Sequence, residues 1–205
     1  MMPRAIEVDG QIISVFDPTA HVPIEPQPEI DPRWVLCRRP CIIVGGELER
    51  SQLDLTFDPP SGLHLASVQM KANNGLLVID DFGRQRMTPT ELLNRWIVPL
   101  DRHIDYLTLT YGVRFDVPFD SRVVFSTNLP PESLGDDAFF RRLPNKVFIG
   151  PMTVDQFDSV LYHAAVKRSL SYRAEDADYL RATLAAHGER DLRAYVPGVV
   201  CDIAV

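Results

Sequence analysis

The sequence predicts an α/β fold: an open sheet with parallel strands over residues 1–150, followed by a small helical part over residues 151–205. Three observations carry this reading. Leu76-Leu77-Val78-Ile79 and Val123-Val124-Phe125 are continuous apolar runs, the texture of strands buried on both faces of a parallel sheet. Between them, Thr88-Pro89-Thr90-Glu91 joins an N-cap threonine, a proline at the first helical position and a capping-box glutamate. After Pro151 the apolar residues recur at helical spacing.

Taken in order, Ile6-Glu7-Val8 and Ile12-Ile13-Ser14-Val15 alternate around Asp9-Gly10, the dipeptide of a tight hairpin. Five prolines between Pro18 and Pro32 rule out helix and central strand there and predict an extended surface excursion. Cys41-Ile42-Ile43-Val44 is a short strand signal ended by Gly45-Gly46. Residues 47–74 carry mixed signals broken by Pro59-Pro60 and point to no single element. A helix is expected from about Pro89 to Val98, stopped by Pro99. Leu107 and Leu109, then Val113, Phe115 and Val117, alternate around Tyr111-Gly112 as a second hairpin. Val147-Phe148-Ile149 reads as another short strand, closed by Gly150-Pro151. In the last part, Thr153 and Gln156 form a capping box, and Phe157, Val160, Leu161 and Ala164 a helical stripe. A second helix, about Glu175 to His187, ends at Gly188; a third begins near Arg190 and is interrupted by Pro197.

Composition narrows the function classes. The formal net charge of −7 argues against tight non-specific nucleic-acid binding, which needs a basic face. No apolar run approaches the roughly 20 residues that cross a bilayer, and the N-terminus has no hydrophobic signal core, so a cytoplasmic protein without a membrane span is expected. Cys37, Cys41 and Cys201 are too few and scattered for a disulfide framework or a zinc site, and the five histidines form no ligand pair. The three lysines, Lys71, Lys146 and Lys167, do not follow a glycine, so these 205 residues contain no G-x-x-x-x-G-K-[ST] phosphate loop.

Chemistry is expected at the carboxyl ends of the strands. One apolar run ends in Asp80-Asp81 and another in Thr127-Asn128. A carboxylate there can hold the water shell of a magnesium ion that bridges nucleotide phosphates, and a second can orient an attacking water. An amide on the neighbouring strand can hydrogen-bond that water or the terminal phosphate. One of Arg141 and Arg142 can project to a neighbouring subunit to stabilise phosphoryl-transfer charge, and Arg190 can reach a phosphate from the helical part. Each residue also has a plain alternative. Asp and Asn are ordinary turn formers, and an Arg pair on a helix is usually a solvated face. Asp81-Phe82-Gly83 spells a kinase magnesium motif, but the companion Gly-rich loop, strand lysine and catalytic loop do not accompany it.

The order GLLVIDDFGRQ, LLNRWIVPLDRH, VPFDSRVVFSTNLPP and DDAFFRRLPNKV resembles the second half of an AAA+ ATPase module of the P-loop NTPase superfamily. More narrowly it is similar to an uncharacterised bacterial group with IDDFGRQR and LNRWIVPL signatures. The resemblance spans about Ile6 to Leu192 and is most specific from Ala72 to Val147. It implies ATP and Mg2+ as cofactors. Asp80 would be the Walker B magnesium residue, Asp81 the catalytic acid, Asn128 sensor 1, Arg141 or Arg142 the arginine finger, and Arg190 the lid arginine called sensor 2. Residues 1–150 would be a partial core and 151–205 a short helical lid.

The chain departs from that family at its start, where the first strand, phosphate loop and helix of the module have no counterpart. The implied fold is thus an incomplete AAA+ sheet, lacking a strand between the one ending at Asn128 and Val147–Ile149. The expected function is a truncated or split ATPase module that once worked in a homo- or hetero-oligomeric ring to remodel a protein partner, with little or no activity alone. The alternative is a non-catalytic assembly subunit that joins intact AAA+ paralogues. A third reading, a metal-dependent phosphohydrolase built on Asp80 and Asp81, lacks a third ligand placed by any motif.

Overall fold

The computed structural model describes residues 1–205 except Ile30, Asp136 and Arg190, and the side chain of Ala138. The chain divides into two units, Met1–Pro144 and Asn145–Val205. In the first, strands β1 (Met2–Pro3), β2 (Ala5–Val8), β3 (Gln11–Ser14), β4 (Trp34–Val35) and β5 (Cys41–Val44) are followed by β6 (Thr56–Asp58), β7 (Leu63–Leu65) and helix α1 (Val68–Lys71). Then come β8 (Leu76–Ile79), α2 (Pro89–Arg102), β9 (Ile104–Thr108), β10 (Arg114–Pro118), β11 (Arg122–Phe125) and α3 (Asp137–Phe140). The second unit contains α4 (Val154–Lys167), α5 (Ala174–Ala186) and α6 (Val196–Ile203).

The parallel sheet has three strands in the order β11-β8-β5. Its register puts Ile42, Leu77 and Val123 in one row, and Val44, Ile79 and Phe125 in another on the same face. That face is covered. Leu53 and Ala72 from the β5–β8 connection, and Leu92, Leu93 and Trp96 from α2, pack there in one apolar cluster with Phe82 and Phe139. The intervening rows, Cys41-Leu76-Arg122 and Ile43-Val78-Val124, lie on the opposite face and belong to no buried cluster among the described residues.

The segment that carried no clear signal, 47–74, belongs to a second sheet. Its order is β2-β3-β7-β6, with the β2–β3 hairpin turning through Asp9 and Gly10 at positive φ. The β9–β10 hairpin turns at Gly112, φ 93°, and shares a core with this sheet through Ile13, Met70, Leu107, Leu109 and Val117. A buried polar knot ties the two cores. Asp105 on β9, 1% exposed, accepts from Arg95 on α2 and from Gln69 on α1.

Three sequence expectations are corrected. Helix α2 runs through Pro99 to Arg102 and ends at left-handed His103. Pro99 lacks an N–H and crowds the Arg95 carbonyl, yet its own burial and the packing of Leu100 on the core hold another turn. Pro197 starts α6 instead of interrupting a helix, because in the first turn a missing N–H costs nothing. Val147–Ile149 forms no strand: the three side chains are 84%, 92% and 88% exposed, and a strand needs a neighbour for its backbone groups.

In the second unit, Leu161, Ala165, Ala177 and Cys201 form a small core between the three helices. The Thr153–Gln156 capping box forms, and Gly188 follows α5 at φ 85°. Arg181 pairs with both Asp158 and Asp178, and Arg168 with Asp202. Among the described residues no helix is long and apolar enough to cross a membrane.

Candidate functional site at the carboxyl ends of the parallel strands

β8 is the central strand, so its last residues emerge between the ends of both neighbours. The Asp80 N–H donates to the Val44 carbonyl at 2.8 Å, extending the ladder beyond β5, and the Ser126 N–H donates to Ile79 at 2.9 Å. The chain then turns at Asp81, φ 49°, a left-handed conformation that a short polar side chain tolerates. Phe82 locks the turn. Its N–H reaches the Ser126 carbonyl at 2.7 Å, and its ring is 2% exposed and edge-on to Phe125 at 4.9 Å.

Three further groups hold this loop. Thr127 Oγ1 donates to the Phe82 carbonyl at 2.8 Å and accepts from the Leu129 N–H at 3.0 Å. Gln85 bridges across: Oε1 accepts from the Gly83 N–H at 2.8 Å, while Nε2 donates to the Asp80 carbonyl at 2.9 Å. Gly83 sits at φ 102°, where a Cβ would lie 2.7 Å from side-chain carbons of Leu129 and Leu134.

This scaffold brings Asp80, Asp81 and Asn128 to one end of the sheet on adjacent strands, all three exposed. Among the described residues no side-chain hydrogen bond or ion pair engages the Asp80 and Asp81 carboxylates, which are exposed. Arg141 follows α3 and is exposed. Arg142 is half-buried and paired with Asp101 at 2.7 Å. Asp101 sits in the last turn of α2. Arg190 lies outside the described residues.

A magnesium ion keeps several waters and needs only one or two carboxylates besides substrate phosphates. Exposed Asp80 fits that demand. A tight protein cage is a different matter: among the described residues no group of three or more His, Cys, Asp or Glu is assembled. The residues present do not fit the phosphates of ATP. The glycine turn after β5 offers no cradle, because the Glu47 carboxylate accepts the Gly45 N–H at 2.9 Å. The same backbone bonds lower the Glu47 pKa, keeping an anion where a phosphate would need donors.

Gln85 and Glu47 were not legible as site residues, and Thr127, expected at its strand end as a polar group for phosphate, binds the backbone of the Asp80 loop and of Leu129. Gln85 two positions after a glycine is the only hint of a side chain folding back on its own loop.

No family model and no curated protein matches this chain. Among solved structures it is similar to NtrX from Brucella abortus, with 18% identity over 61% of this chain and 29% of that one and a TM-score of 0.47. It is similar to NtrX in complex with ADP at 17% identity, over 63% and 30% of the two chains, again with a TM-score of 0.47. The chain therefore spans about 30% of the length of these structures.

Proposed function

We propose that this chain is one half of an AAA+ ATPase module, truncated or split from the segment that grips the nucleotide. What supports the reading is that Asp80, Asp81 and Asn128, all exposed, follow the carboxyl ends of two adjacent parallel strands, β8 and β11. In this reading ATP with magnesium supplies the transferable phosphoryl group when bound. With the phosphates gripped by the other half of the module, Asp80 would be the residue to hold the water shell of the magnesium ion, Asp81 the acceptor for an attacking water, and Asn128 the donor to that water or the terminal phosphate. Exposed Arg141 is better disposed than Arg142 to act on a neighbouring subunit of a ring, since Arg142 is held by Asp101. Arg190 would be the lid arginine. The work of such a ring is remodelling a protein partner in the cytoplasm.

The chain alone is expected to release no phosphate from Mg·ATP. The test mixes purified chain with a polypeptide carrying a G-x-x-x-x-G-K-[ST] loop between its strand and helix, and measures phosphate release. Turnover that vanishes in Asp80→Ala and Asp81→Asn is the expected result. Turnover by the chain alone, lost in Asp80→Ala, overturns the half-module; turnover of the mixture that is indifferent to both substitutions overturns the site.

The second reading is a non-catalytic subunit that joins intact AAA+ paralogues. Among the described residues the β11 edge away from β8 has no strand partner, which favours it. Co-expression with such a paralogue then yields a mixed ring on size-exclusion chromatography, unaffected by Asp80→Ala.

A further inference from the structure

Gln85 folds back on the loop that carries it, and its amide meets backbone on both sides. Oε1 accepts from the Gly83 N–H at 2.8 Å. Nε2 lies against three carbonyl oxygens, 2.9 Å from Asp80, 3.3 Å from Asp81 and 3.4 Å from Gly45. Gly45 directly follows β5, so the same amide ties the turn to the neighbouring strand.

A carbonyl belongs to the peptide plane that joins its residue to the next, and an N–H to the plane that joins it to the one before. Gln85 therefore grips three consecutive planes: 80–81 through the Asp80 carbonyl, 81–82 through the Asp81 carbonyl, and 82–83 through the Gly83 N–H. With the Asp80 N–H held by Val44, the backbone angles of Asp80, Asp81 and Phe82 are set together. Asp81 needs such support, because its φ of 49° is a left-handed conformation that aspartate visits at a cost. The Asp81 carbonyl also accepts from the Arg84 N–H at 3.0 Å, and the Gly45 carbonyl from the Leu48 N–H at 3.2 Å. Among the described residues the Asp80 carbonyl has Gln85 alone.

We propose that Gln85 is the positioning residue of the acidic turn. Acting on backbone alone, its amide sets the directions in which the Asp80 and Asp81 carboxylates leave the strand end. The role of those carboxylates rests on the half-module reading; the grip itself does not.

The grip demands a donor and an acceptor on one side chain of this length. Leucine supplies neither, and an ionised carboxylate only accepts. In Gln85→Glu the new carboxyl faces three carbonyl oxygens, which disfavour its ionised form and hold its pKa in the folded chain above the ordinary value of about 4.3. Asp80, Asp81 and Glu47 push the same way; Arg84 and Arg86 oppose, the latter already engaged by Glu49. Protonated, that carboxyl again offers one donor and one acceptor, the pair the amide supplies. The defect of Gln85→Glu is therefore complete above the raised value and shrinks as pH falls toward about 4.3.

Hydrogen exchange of the amides of residues 80–84, in the full chain without nucleotide and corrected for the intrinsic pH dependence of exchange, reads the grip. At pH 8, exchange about tenfold faster than in the parent is expected in both Gln85→Leu and Gln85→Glu. At pH 5 the excess should vanish in Gln85→Glu and persist in Gln85→Leu. Gln52→Glu is the control: Gln52 Oε1 accepts from the Glu49 N–H at 2.8 Å, a task that a carboxylate performs equally, so the loop should exchange as in the parent. The mixture with the phosphate-loop polypeptide reads the positioning. There Gln85→Leu should lower kcat about tenfold with KM for ATP unchanged, and Gln85→Glu should regain parental kcat as the pH is lowered. An exchange excess in Gln85→Glu that ignores pH overturns the grip. An unchanged kcat in Gln85→Leu, with parental turnover that depends on Asp80, overturns the positioning role and leaves the half-module standing. No Asp80-dependent turnover in the parent mixture, with the exchange reversal intact, removes the half-module and leaves Gln85 as the residue that sets the acidic turn.

Discussion

Replacing Asp105 by alanine tests the polar knot that joins the two cores of the first unit. Asp105 is 1% exposed and accepts from Arg95 Nη1 at 2.5 Å, Arg95 Nη2 at 3.1 Å and Gln69 Nε2 at 2.9 Å. Burial by itself would lower the Arg95 pKa. The hydrogen bonds and charge of Asp105, with help from Asp54, outweigh that and hold it above the usual arginine value. Alanine removes the counter-charge and leaves a guanidinium whose side chain is 18% exposed. Breaking one side of a buried pair costs about 3–5 kcal/mol. Arg95 keeps Asp54 at 3.3 Å and the Leu53 carbonyl at 3.2 Å, so the lower end, about 3 kcal/mol, is expected. Urea unfolding followed by tryptophan fluorescence reads this directly, since Trp96 is fully buried one residue away from Arg95. Removing the stranded charge as well, in Asp105→Ala/Arg95→Met, should recover at least about 1 kcal/mol relative to the sum of the single changes. Additive losses, or a single-mutant cost below about 1 kcal/mol, would refute the view that an uncompensated buried charge sets the penalty.

Further expectations concern acid stability, the site loop and the arginine pair. Burial would raise the Asp17 pKa, but hydrogen bonds from Lys71 and Thr19 and the Lys71 charge bring it to about 2. Its folded value is depressed, so its contribution is full above the ordinary aspartate value of 3.8 and is lost as pH falls toward 2. The drop in urea midpoint between pH 7 and pH 3 should thus be smaller in Asp17→Asn than in the parent chain. Gly83→Ala combines a positive φ with a 2.7 Å approach to Leu129 and Leu134, and should cost about 2 kcal/mol in the same unfolding assay. In the reconstituted phosphate-release mixture, Arg141→Ala should abolish turnover with no change in urea midpoint. Arg142→Ala should instead lower the midpoint, because it strands Asp101.

The parts of the fold that were legible from sequence are those where local chemistry and burial agree. Leu76–Ile79 and Val123–Phe125 are strands because each is apolar throughout and ends in polar residues. Thr88 and Glu91 fix the start of α2 through reciprocal hydrogen bonds. The failures come from tertiary context. Pro99 does not end α2, because core packing outweighs a local breaker, and Val147–Ile149 is apolar yet has no strand beside it. Residues 47–74 were illegible because β6, β7 and α1 contain only three or four residues each, too few to show a period. At the site, the positions of Asp80, Asp81 and Asn128 followed from where the apolar runs stop. The supports did not, since Gln85 and Thr127 act by reaching backbone groups that only the folded chain brings within range. The bare sheet face was likewise invisible: Ile43 and Val124 read as ordinary core residues until the register set them in one uncovered row.

The order β5, β8, β11 has a consequence for synthesis on the ribosome. Each strand of the parallel sheet is laid beside the one completed just before it, so the sheet can grow outward as the polypeptide emerges, without waiting for a distant partner. The price of that sequential growth is that each newly laid strand presents an open edge, and among the described residues β11, like β5 at the other side of the sheet, keeps one in the finished unit. A nascent chain paused just after Phe125 has cleared the exit tunnel should therefore be the stage at which chaperone capture, or premature pairing between neighbouring ribosomes, is most pronounced.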